Sequence, residues 1–66
     1  MIDFTFEFPE HLKTGDIRMV SIDIHAKTFE EAKMLINAKI LLSNPRTMFD
    51  WFKLEENNYT GVKIYC

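Results

Sequence analysis

The sequence predicts an α+β fold: a single small domain over residues 1–66, in the order β-β-α-β-β. It places a four-stranded antiparallel sheet under one helix packed on one face. Three observations lead there. "IDFTFEF" alternates apolar and polar residues with period two. "TFEEAKMLINAKILLSNP" opens with a helix cap and closes with a proline stop. "WFKLEENNYTGVKIYC" reads as two short strands about a turn.

In the first strand Ile2, Phe4, Phe6 and Phe8 point one way and Asp3, Thr5 and Glu7 the other, the pattern of a half-buried strand. Pro9 is expected to end it, and "PEHLKTGD" connects onward with Gly15-Asp16 as the turn signal. The second strand runs from Ile17 to Ala26. Val20, Ile22, Ile24 and Ala26 share one face, with Ser21, Asp23 and His25 opposite. Ile17 and Met19 fall on the polar side, so either a bulge resets the register or both faces of the strand's start are covered.

Thr28 and Glu31 form a capping box, and Glu30 and Glu31 complement the helix dipole. The helix reaches about Leu42, before Ser43-Asn44-Pro45. The last third admits two readings. In the first, Met48, Asp50, Phe52 and Leu54 line one side of a strand, "NNYTG" turns, and Val62, Ile64 and Cys66 alternate with Lys63 and Tyr65. In the second, Asn44 caps a short helix with Pro45 at its first position.

A helix of about 14 residues rises roughly 21 Å, enough to return the chain to the beginning of strand two. Strand three then runs parallel to strand two and antiparallel to strand one. A preference for antiparallel neighbours favours the order 2-1-3-4, with 1-2-3-4 as the fallback. The expected core is Phe4, Phe6, Phe8, Val20, Ile22, Ile24, Phe52, Leu54, Val62 and Ile64. Trp51, Lys53, Lys63 and Tyr65 would join the polar residues on the outer face.

Successive helix residues turn by about 100°, which puts Phe29, Ala32, Leu35, Ile36 and Ile40 in a stripe suited to the sheet. Met34, Ala38 and Leu41 form a second apolar stripe opposite it, and one sheet cannot cover both. The C-terminal segment could fold over this second stripe, two copies could pair through it, or a different protein could cover it.

Composition narrows the function classes. A net charge of −2 lacks the basic surplus of a dedicated nucleic-acid binder. Cys66 is the single cysteine, so the chain has no internal disulfide, which fits a reducing cytoplasm. The start "MIDFTFEFPE" is unlike a signal peptide. No apolar run approaches the roughly 18 residues that span a bilayer. His11, His25 and Cys66 share no metal-ligand spacing, so no metal or other cofactor is expected. His25 and the carboxylates of Asp3, Glu7 and Asp23 read as solvated strand positions, so no catalytic residue is assigned. Glu30 and Glu31 would repel a phosphate at the helix start.

"IDIHAKTFEEAKMLINA", taken with the closing "WFKLEENNYTGVKIYC", resembles a layout found in small phage-encoded proteins, among them compact anti-CRISPR proteins. The match covers about two-thirds of the chain. It implies an accessory protein without a catalytic site that blocks a host complex by surface contact. The strand–"TFEEA"–helix segment is also similar to the HicB antitoxin family, although the strand ending and C-terminal DNA-binding segment expected there are missing.

The expectation is therefore a non-enzymatic, phage-type protein acting in the host cytoplasm. It would occlude a host defence or nucleic-acid-processing complex, whether protein or ribonucleoprotein. Partner contact is expected through Trp51, Tyr65, Lys53, Lys63, His11 and Asp23. The stripe of Met34, Ala38 and Leu41 would serve a homodimer or the partner. The alternatives are a small nucleic-acid-binding domain using Trp51, Tyr65, Lys53 and Lys63, an antitoxin-like partner-binding protein, or a small enzyme.

Overall fold

Four strands and one helix follow one another along the chain as β1 (Ile2–His11), β2 (Ile17–Ala26), α1 (Phe29–Ser43), β3 (Thr47–Glu55) and β4 (Asn58–Tyr65). The structure is a computed structural model that describes the backbone of residues 1–43 and 47–65 and the side chains of 1–40 and 49–64. The possible helix cap at Asn44-Pro45, the side chains of Leu41 and Tyr65, and Cys66 lie outside the described residues. Where described, residues 47–55 are strand, so the short-helix reading does not hold there.

β1 and β2 pair antiparallel in an unbroken register from Ile2↔Ala26 to His11↔Ile17. The strand passes through Pro9 rather than ending at it. The Thr5 N–H donates to Asn57 O at 2.8 Å, which shows that odd-numbered amides of β1 point toward β4. Parallel pairing with β4 extends only as far as Glu7↔Thr60, so the N–H that Pro9 lacks falls where no ladder partner needs it. In the turn, Gly15 takes a φ of 90°, and the Leu12 N–H donates to Asp16 O at 2.8 Å.

The helix starts as its cap prescribes: the Glu31 N–H donates to Thr28 Oγ1 at 3.2 Å. Ala32, Ile36 and Ile40 recur at every fourth residue and are buried against the sheet. Leu35, assigned to that stripe from sequence, is 45% exposed at its flank. Met34 on the opposite side is 73% exposed, and Ala38 is exposed with it. The closing strands lie within the sheet, so the C-terminal segment does not cover that side.

The sheet order is β2-β1-β4-β3. β1 and β4 are parallel, whereas β1/β2 and β3/β4 are antiparallel. The sheet is therefore mixed, and it corrects the antiparallel sheet of order 2-1-3-4. β3 keeps its expected direction but exchanges places with β4. Two features favour this arrangement. β3 carries Asp50, Lys53 and Glu55, charges that suit an edge strand. β4 brings Tyr59 beside Phe6, with ring centroids 5.6 Å apart and nearly parallel planes, and beside Phe29 at 4.1 Å. These aromatic contacts outweigh the preference for antiparallel neighbours.

Facing also differs from expectation in the second hairpin. Its turn is Glu56-Asn57, with Asn57 at a φ of 61°, and the register shifts between Lys53 and Glu55. Of the stretch "NNYTG" only Asn57 is in the turn, and residues 58–61 lie inside β4. Phe49, Trp51, Tyr59 and Gly61 face the helix and are buried. Phe52, Leu54, Val62 and Ile64, expected in the core, are exposed on the other face. Gly61 explains the choice. A Cβ there would lie 2.7 Å from Phe49 Cδ1 and 2.8 Å from Trp51 Cζ3, so only a bare backbone lets both rings lie over β4.

Gly61→Ala should therefore destabilise the domain by about 1–3 kcal/mol through overpacking. Urea denaturation checks this, and an unchanged midpoint contradicts the ring placement.

Candidate partner-binding face

With Trp51 turned inward, the alternation of β3 and β4 leaves the sheet's second face uncovered. Cross-strand pairs assign its residues: Asp3↔His25, Thr5↔Asp23, Glu7↔Ser21, Pro9↔Met19 and His11↔Ile17 on β1/β2. Phe52↔Thr60 and Asp50↔Val62 continue it on β3/β4. Because the β1/β2 register has no bulge, Ile17 and Met19 stay on this face. They join Phe52, Leu54, Val62 and Ile64, and all six are between 45% and 61% exposed. A run of large apolar side chains shared by several strands of one open face is uncommon on a chain that works alone.

The polar part of the face is acidic. Asp3, Glu7, Asp23 and Asp50 lie on it by register, with His11 and His25 but no Lys or Arg among the described residues. Asp3 contacts His25 Nδ1, and Asp23 Oδ1 accepts a hydrogen bond of 2.8 Å from Thr5 Oγ1. Asp50 is exposed between Phe52 and its cross-strand neighbour Val62. The described cations sit elsewhere. Arg18 pairs with Glu10 at 2.9 Å, Lys13 is in the β1–β2 connection and Lys27 between β2 and α1, Lys33 and Lys39 are on α1, and Lys53 and Lys63 register with the helix-facing residues Tyr59 and Phe49.

The residues singled out from sequence therefore do not form one site. Trp51 is buried, and its Nε1–H donates to Asn37 Oδ1 on α1 at 2.8 Å. It cannot act as an exposed stacking platform beside Lys53, Lys63 and Tyr65. Tyr65 pairs in register with Thr47, and its side chain lies outside the described residues. His11 and Asp23 do lie on the open face, whereas Met34 and Ala38 point away from the sheet on α1. Sequence reasoning missed the open-face role of Phe52, Leu54, Val62 and Ile64. The signal was the pair Ile17 and Met19, which broke the polar side of β2.

No group of three or more His, Cys, Asp or Glu is placed to hold a metal ion among the described residues. No described helix is long and apolar enough to cross a membrane. Compared with protein-family models, curated proteins and solved structures, the chain matches none.

An exposed apolar side chain contributes little to the fold, so Phe52→Thr should change stability by about 0.5 kcal/mol or less. Phe6→Ala in the core should cost about 3–5 kcal/mol. Chemical denaturation of both variants checks the contrast, and equal losses would place Phe52 in the core.

Proposed function

We propose that this chain is a non-enzymatic binding domain that acts by covering a working surface of another macromolecular complex. The observation that carries the reading is the open sheet face, where six large apolar side chains stand uncovered beside carboxylates. A four-stranded open face suits occlusion better than catalysis, because its Asp3–His25 contact stands exposed to solvent and its Thr5 hydroxyl is already bonded to Asp23. Tyr and Trp anchors were the sequence-based expectation for such contact. Phe52, Leu54, Val62 and Ile64 now take that place, with His11 and Asp23 nearby.

The resemblance to compact phage anti-defence proteins supports inhibition of a host defence or nucleic-acid-processing complex in the cytoplasm as the biological setting. Direct nucleic-acid binding is the weaker reading. It would need basic groups and exposed rings together, whereas Trp51 is buried and the open face carries acids.

Affinity capture with tagged protein from host lysate should recover a protein complex that survives a nuclease wash of the captured material. Phe52→Thr and Val62→Lys should release it while the domain stays folded by circular dichroism. Recovery of nucleic acid alone, or retention of the complex by both variants, overturns the proposal.

A further inference from the structure

The open face also specifies the chemistry of what covers it, and this inference rests on the binding role proposed above. Four strands of eight to ten residues, about 4.8 Å apart and rising about 3.3 Å per residue, give a face of about 600 Å² in projection. Each partner in a standard protein interface contributes roughly 800 Å² of accessible surface. The apolar side chains alone are too small a footprint, so a stable partner must also lie over the acidic part.

That requirement separates the possible occupants. A second copy laid face to face would bring Asp3, Glu7, Asp23 and Asp50 toward an identical set, with no Lys or Arg on the face to meet them among the described residues. Like charges brought together in an interface disfavour association. Asp50 matters most, because it stands exposed beside Phe52 and Val62 and has no side-chain partner among the described residues. An apolar partner surface would desolvate this carboxylate, which is costly unless a cation meets it. Nucleic acid and anionic lipid would meet the acids with further negative charge.

We infer that the occupant of the open face is a protein surface that is both apolar and basic, with a Lys or Arg set opposite Asp50. Phe52, Leu54 and Val62 give it apolar footing, and Asp50 with the acids of β1 and β2 selects its charge.

Two labelled peptides of equal length test this by fluorescence anisotropy, one alternating leucine with lysine and the other leucine with glutamate. The lysine peptide should bind at least about tenfold more tightly, with affinity falling as salt rises. Asp50→Lys should abolish that preference, and Phe52→Thr should weaken binding of the lysine peptide. Glu30→Lys, on the helix side, makes the same change in net charge and should leave binding unaltered. Equal affinity for both peptides, or equal effects of Asp50→Lys and Glu30→Lys, overturns the inference about charge. In that case a continued effect of Phe52→Thr leaves the binding face standing, whereas no effect removes the face as well. A dimer by light scattering that Val62→Lys converts to monomer would instead make a second copy the occupant.

Discussion

Trp51 lies between α1 and β4, its indole N–H on Asn37 Oδ1 at 2.8 Å and its ring over the backbone of Gly61. Side chains in a strand alternate between faces, so fixing one residue fixes the facing of its whole strand. With Trp51 inward, Phe49 follows it into the core, and Phe52 and Leu54 must face out. β4 obeys the same rule through its pairing with β3. Tyr59 and Gly61 go in, while Val62 and Ile64 go out. The apolar open face is thus a direct consequence of the core packing.

The core is mainly aromatic. Phe6 is fully buried and meets Trp51 edge-on at 4.8 Å and Tyr59 in a stacked arrangement at 5.6 Å. Phe29 stacks on Tyr59 and ties the first turn of the helix to β4. Large rings let a short chain bury substantial apolar area around one helix. Even so, the fold leaves six large apolar side chains on the open face of the sheet, Ile2 at the start of β1, and Met34 and Leu35 on the helix in contact with water. Fully burying such a side chain stabilises by about 1.5–3 kcal/mol, which gives association a driving force that the isolated fold does not use.

How far the sequence could be read depended on how different the two faces of each element were. β1 was legible because Phe4, Phe6 and Phe8 oppose Asp3, Thr5 and Glu7: Phe4 and Phe6 are buried, and Phe8 packs half-buried against the core. The start of α1 was legible because Thr28 and Glu31 have a local chemical role that owes nothing to distant contacts. The closing hairpin was not, because β3 offers two apolar faces: Phe49 and Trp51 on one, Phe52 and Leu54 on the other. Periodicity alone cannot rank them. In the sequence Gly61 has the look of a turn residue, the commoner use of glycine, yet here it makes room for two rings. The candidate site inherits that ambiguity, because the sequence pattern alone puts Trp51 outside and its neighbours inside. Ile17 and Met19 were the local inconsistency that pointed to an apolar second face.

The facing of Trp51 is the claim on which both the core and the open face rest. Nuclear magnetic resonance tests it through the indole N–H of the single tryptophan. The account predicts slow exchange of this proton with solvent, together with nuclear Overhauser contacts to Asn37 and to neighbouring helix residues. Rapid exchange, with the Phe52 ring showing contacts to Ala32 and Ile36 instead, would contradict it.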